Sequence, residues 1–239
     1  MTENNARKLS TSLLPKDKIE GKDFLNYIYY DKDGYIVSSN NYVLSALKCD
    51  FDNKKNNVCE DKDGKIIENI KYPMWAHLFR GKSFNSIEVD YDKLDKIIDI
   101  CKEKIKKLPK SKYELSPQGC EMIKFGKVYF RIKNFEKFVK IAKSIKVKDF
   151  VYGGNDDRMM AIGKDGRVVI NPIVWYNKEN LDEEPIDYFE WKEEKEIVVN
   201  DKQPKDKKVK EKSEKKNKKE VKKTSKTKED KPKKNKSKK

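Results

Sequence analysis

The sequence predicts an α+β protein. Antiparallel sheets carry two packed amphipathic helices, and a disordered, lysine-rich C-terminal tail follows. Three observations lead there. Asp-Gly pairs recur between runs of β-branched and aromatic residues. Two segments place apolar residues at helical spacing. The charge is split along the chain: residues 201–239 hold 20 Lys against 7 Asp and Glu, whereas residues 1–200 hold 37 basic and 34 acidic side chains. Most of the net charge of +16 therefore sits in a tail whose only aliphatic residues are Val209 and Val221. Such a segment cannot build a core. The chain is read as an N-terminal segment (1–19), an α+β domain (20–178), an acidic and aromatic linker (179–200) and a basic tail (201–239).

The elements follow in order. Asp31-Lys32-Asp33-Gly34, Asp61-Lys62-Asp63-Gly64 and Lys164-Asp165-Gly166 are hairpin turns, because Asp-Gly supplies the positive φ a tight reversal needs. Residues 27–30 and 35–38 form the first hairpin. Leu94, Ile97, Ile98, Cys101, Ile105 and Leu108 make one apolar helical face, ended by Pro109. Phe135, Phe138, Val139, Ala142 and Ile145 repeat that face in a second helix, with Asn134 as its cap. The two helices align at an offset of 41 residues, each behind a strand-like stretch (86–89 and 127–132). Either any two amphipathic helices would align this way, or a strand–helix unit is duplicated. Residues 167–175 are the most strand-like run, with Pro172 near its end because proline cannot donate to a ladder. In residues 179–196, Tyr188, Phe189 and Trp191 stand among acidic side chains. They either cap the core or belong to a linear peptide that docks in a groove.

Several functions are excluded at this level. No apolar run approaches the ~20 residues that cross a bilayer, and residues 1–12 lack a signal peptide's apolar stretch. A cytoplasmic protein is expected, in a bacterial cell or a phage-infected host. Cys49, Cys59, Cys101 and Cys120 have no Cys-x-x-Cys spacing and one histidine, His77, to accompany them. Free thiols are expected, and neither a metal nor a cofactor. His77 lies among Trp75, Leu78 and Phe79, a structural rather than a catalytic setting. Gly153-Gly154 reads as a turn rather than a phosphate loop. Asp-x-Asp-Gly lacks the closing Glu of a calcium loop. No carboxylate pair stands out as an acid–base couple. The chain is not read as an enzyme.

Three motifs, in order, resemble those of the bacterial DNA-polymerase processivity clamps, the sliding-clamp family. Val37-Ser38-Ser39-Asn40-Asn41-Tyr42-Val43-Leu44 resembles the family's strand–turn–strand motif. Tyr72-Pro73-Met74-Trp75 resembles the aromatic-Pro-x-aromatic segment joining the middle domain to the last. Val168-Val169-Ile170-Asn171-Pro172-Ile173 resembles the closing strand with its Met-Pro signature. Asn40, Val43 and Asn171 replace the family's Asp, Arg and Met. The match spans residues 20–176, about one and a half clamp domains, so either a ring needs more subunits than the familiar dimer or the chain is a shortened, non-ring relative. The excess of Lys over Arg, with abundant Asn and Ile, suggests a low-GC bacterial or phage-type source. The resemblance implies a homo-oligomer, and helices that touch DNA phosphates through Lys93, Lys96, Lys102, Lys106, Lys137, Lys140 and Lys143. Asp95, Asp99 and Glu136 interrupt that stripe. It also implies a partner-peptide pocket at Leu44, Pro172 and Ile173, through which a DNA polymerase or another replication protein would dock. Pro185-Ile186-Asp187-Tyr188-Phe189 resembles such a partner peptide and is a candidate for the chain's own pocket.

The tail speaks without a family. Lys207, Lys208, Lys215, Lys216, Lys218, Lys219, Lys222 and Lys223 belong to a polycation suited to nucleic acid through counterion release. Aromatics are absent from residues 201–239, so base stacking there is excluded and sequence preference is slight. An anionic membrane has no amphipathic helix or lipidation motif to support it. Contact with the chain's own acidic segment, or a role in solubility alone, stays open. The chain has 52 Lys and 5 Arg, which fits backbone contact better than bidentate base readout. The function expected is a DNA-associated, clamp-like accessory that tethers a replication partner to DNA non-specifically. The alternative is a structural or packaging protein of a virion whose tail condenses nucleic acid.

Overall fold

The first Asp-Gly turn closes the hairpin of β1 (Ile28–Asp31) and β2 (Tyr35–Ser39), where Gly34 adopts φ +81°. In this computed structural model, residues 1–80, 84–108, 119–153, 157–173 and 184–193 are described. The remaining strands are β3 (Val43–Lys48), β4 (Val58–Glu60), β5 (Ile66–Ile67), β6 (Phe84–Glu88), β7 (Met122–Phe125), β8 (Val128–Arg131), β9 (Asp149–Gly153), β10 (Arg158–Gly163), β11 (Gly166–Ile170) and β12 (Ile186–Asp187). The helices are α1 (Glu3–Thr11), α2 (Tyr91–Lys107) and α3 (Ile132–Ser144). The other two Asp-Gly turns also close hairpins, β4–β5 and β10–β11.

Nine strands form one antiparallel sheet in the order β5-β4-β1-β2-β3-β11-β10-β9-β6. Its two halves mirror each other. α1 leads into the meander β1-β2-β3, and α3 leads into β9-β10-β11. The meanders meet at the β3–β11 seam, where Val43 faces Ile170 and Leu47 faces Gly166. A Cβ at Gly166 would stand 2.7 Å from the Ala46 carbonyl oxygen, at φ +149°. Only glycine fits so close a backbone approach.

Both faces of this sheet are covered, so its central strands read as continuous apolar runs rather than alternating ones. Val43, Leu47, Val168 and Ile170 point to the helix face, while Leu44, Ala46 and Val169 point to the other. The helix face receives Leu94, Ile97, Ile98 and Cys101 from α2, and Phe135, Phe138, Ile141 and Ala142 from α3. Each fully buried Leu, Ile or Phe among them contributes about 1.5–3 kcal/mol. The other face is covered by the 72–79 segment, with Trp75 at its centre.

A second sheet, β12-β7-β8, holds the strand that precedes α3. The strand pairing is crossed. β6, before α2, pairs with β9 after α3; β8, before α3, pairs with β7 after α2. This arrangement favours a duplicated strand–helix unit over a chance likeness of two helices.

Four sequence expectations need correction. α3 begins at Ile132 behind Arg131, so Asn134 is inside the helix and does not cap it. The last strand of the closing motif ends at Ile170, because Asn171 and Pro172 leave the ladder; Val174 and Trp175 fall outside the described residues. A third helix, α1, forms within the segment 1–19 and buries Ala6 against the sheet. Its start signal was present: Thr2 caps the Asn5 amide, and Glu3 sits in the first turn. Finally, residues 185–189 do not enter the pocket around Leu44. Ile186 and Asp187 form β12, which pairs parallel with β7, and Tyr188 caps the core. Pro109, Gly154 and the whole 201–239 tail lie outside the described residues.

Candidate peptide cleft and nucleic-acid face

The three motifs, distant in sequence, meet on the face of the sheet opposite the helices. Leu44, Val169 and Trp75 are buried there, and with Tyr72 and Leu78 they line a cleft of about 190 Å³. Tyr42 and Met74 form its rim, exposed at 47% and 83%. A cleft this small holds one or two side chains rather than a drug-sized ligand. It is preformed by hydrogen bonds. Asn40 Oδ1 accepts the backbone N–H groups of Tyr42 (3.1 Å) and Val43 (2.7 Å), while Asn41 takes φ +75°. Asn40 Nδ2 also donates to Asn134 Oδ1 on α3 at 3.2 Å. An aspartate could cap the turn but could not donate to Asn134. Asn40 thus has a partner that the sequence did not reveal. The Asn171 amide donates to the Tyr42 carbonyl at 2.8 Å, and Trp75 Nε1 donates to Asp31 Oδ2 at 3.1 Å.

Of the predicted pocket residues, Leu44 lines the cleft. Pro172 and Ile173 are half-buried and not among its lining residues. The Ile173 amide instead donates to the Tyr129 carbonyl at 2.8 Å, tying the closing segment to β8. Tyr42, Met74 and Trp75 were not named as pocket residues, although two of the motifs contain them. An exposed Met in a Pro-containing aromatic segment was the signal available. His77 is exposed at the cleft's edge.

α2 and α3 lie side by side on the opposite face, with a groove of about 490 Å³ bordered by Asp95, Asp99, Glu136, Lys140 and Lys143. The structure brings the seven helix lysines onto these neighbouring helices but pairs most of them. Lys102 Nζ lies 2.8 Å from Glu136, Lys106 2.5 Å from Glu103 and Lys96 2.7 Å from Glu193, and Lys143 bonds Asp95. These pairs raise the Lys96 and Lys102 pKa values, chiefly through their hydrogen bonds to Glu193 and Glu136. Lys93 Nζ stands 4.7 Å from the Tyr188 ring centroid. Lys137 is half-buried, and desolvation, then Lys133, lowers its pKa. Lys140 is exposed, and no described carboxylate forms an ion pair with it. Surface pairs of this kind contribute little to folding. The tail lysines, Lys207 to Lys223, lie outside the described residues. Among the described residues, no group of His, Cys, Asp and Glu is arranged to hold a metal, and no helix is long and apolar enough to cross a membrane.

Among solved structures, the β subunit of DNA polymerase III from Pseudomonas aeruginosa aligns at a TM-score of 0.50 with 10% identity, over 72% of this chain and 65% of that one. A sliding clamp from Bartonella birtlesii, solved with griselimycin, aligns at 0.50 with 9% identity, over 72% and 64%. The fold is that of the bacterial sliding clamps. A Helicobacter pylori clamp solved with a DNA ligase peptide aligns at 0.45 with 10% identity, over 71% and 62%. The chain thus spans less than two thirds of the clamps it matches. No protein-family model and no curated protein sequence matches the chain. Among the described residues there are three α-helices, and β12 lies at one edge of the second sheet.

Proposed function

We propose that this protein is a non-enzymatic, DNA-associated replication accessory: a shortened clamp-like adaptor that tethers a partner to DNA. One observation carries the proposal. The three clamp-like motifs converge on one apolar cleft with an exposed Met and Tyr at its rim, on the sheet face opposite the lysine-bearing helices. The cleft suits the apolar anchors of a short linear peptide, and the helix face suits phosphates. The partner is a DNA polymerase or another replication protein, and the Lys-rich tail adds non-specific phosphate contacts. Assembly into a homo-oligomer, a phage-type origin and a cytoplasmic location belong to the same proposal.

Peptide binding tests it. A peptide with apolar anchors ending in Phe should bind the wild-type chain. The double variant Leu44→Asp, Met74→Asp should lose about tenfold or more, because a carboxylate would be desolvated in the cleft. Equal affinity for both proteins would remove the cleft from the function. The mass in solution of residues 1–200, measured over a range of concentrations, separates a closed oligomer from a monomeric adaptor.

A further inference from the structure

Residues 184–193 bring one carboxylate, Glu193, to the end of α2 that carries Lys93 and Lys96. The segment is firmly anchored. Tyr188 is buried and stacks on Phe125, with centroids 4.8 Å and planes 15° apart. Its Oη accepts the Asp90 backbone N–H at 3.1 Å, at the start of α2. β12 pairs with β7, and Lys124 Nζ lies 3.0 Å from Asp187. From this anchor two contacts reach α2. Tyr188 presents its ring to the Lys93 ammonium, and Glu193 Oε2 meets Lys96 Nζ at 2.7 Å. The Lys96 and Glu193 side chains stay 51% and 59% exposed. A pair so open to water contributes little to stability. Its main consequence is local charge: Glu193 joins Asp90 and Asp92 around Lys96 and takes its ammonium in a direct ion pair, whereas Lys140 on α3 has no described ion pair.

We propose that residues 184–193 act as a built-in acidic screen. Glu193 competes with nucleic-acid phosphate for Lys96, while Tyr188 holds Lys93, so that DNA is directed to the α3 side of the helix face. This rests on the reading of that face as the DNA interface. A phosphate reaching Lys96 must displace Glu193, so one counterion-releasing contact is withheld from the complex.

The test uses the full-length chain and a short duplex of random sequence, with fluorescence anisotropy over a range of salt. Glu193→Gln should bind more tightly at low salt and steepen the slope of log K against log salt by about 0.9. That extra contact corresponds to roughly a threefold larger loss of affinity between about 50 mM and about 200 mM salt. The gain should vanish when Lys96→Ala is added. An unchanged slope and affinity for Glu193→Gln, with binding still weakened by Lys140→Ala, would overturn the screen and leave the helix face as the interface. Binding indifferent to Lys96→Ala, Lys140→Ala and Glu193→Gln alike would overturn both. A thermal melt of Glu193→Gln, expected to match wild type, confirms that folding is not the variable.

Discussion

Cys59 and Cys49 show how burial sets chemistry at single positions. Desolvation pushes both thiols up to about 11 from an ordinary 9.0, with Glu3 adding to the effect at Cys49. Tyr91, half-buried at the helix–sheet contact, moves the same way to about 12. A raised pKa means that the folded state holds its proton more tightly than the unfolded state. The stability the two thiols contribute is complete below about pH 9 and is lost as pH climbs through about 11, and that of Tyr91 is lost between about pH 10 and about 12. Thermal melts between about pH 8 and about pH 11 should therefore show a falling midpoint. Alkylation of Cys49 and Cys59 near pH 8 should be slow in the folded protein and fast in denaturant. The free-thiol expectation needed only cysteine spacing. The degree of burial needed the fold, because a lone Cys carries no periodic signal of its own.

α1 shows what holds an element whose own apolar face is short. Arg7 bonds the carboxylate of Glu60, which is 2% exposed on β4, and Tyr30 Oη donates to the same group at 2.9 Å. Lys55 Nζ lies 2.6 Å from Glu3 and 3.7 Å from Glu60. The network pins the helix to the sheet edge. Glu60→Gln leaves Arg7, whose side chain is 32% exposed, facing a neutral group and should cost about 1–2 kcal/mol, read as a lower urea midpoint with an unchanged m-value. Amphipathic spacing announced α2 and α3 because each supplies at least four buried side chains at regular intervals. α1 has buried Ala6 and Ser10 alone, so its pattern was too sparse to read. The acidic segment was legible as an aromatic anchor. Its destination was not, since parallel pairing with β7 depends on an edge assembled from elsewhere in the chain.

The whole molecule turns on the β3–β11 seam, which joins the two mirrored halves of the large sheet. Gly166 lets those strands close, and Gly166→Ala would drive a Cβ against backbone atoms of Ala46 and Leu47. A loss of at least about 2 kcal/mol is expected, from the positive φ and the clash together. Because the seam carries Leu44 and Val169, the same variant should also weaken peptide binding at the cleft. A melt and a peptide titration on one preparation check both effects. A normal melting temperature with normal peptide affinity would contradict the role given to the seam.

Composition, periodicity and turn chemistry determined much by themselves: an α+β domain, three Asp-Gly hairpins, two amphipathic helices, and three motifs whose order resembles that of a clamp. Those signals are local, arising from residues that are neighbours in the chain or one helical turn apart. Tertiary structure alone decided the rest. Pro172 and Ile173 sit beside the cleft motif in sequence but outside its lining, because the chain leaves the ladder at Asn171. The lysine stripe, legible as charge, became a largely paired face only when Glu136 on α3 and Glu193 beyond β12 were brought to α2. Pairing across such distances depends on which surfaces pack together, and packing belongs to the folded chain as a whole.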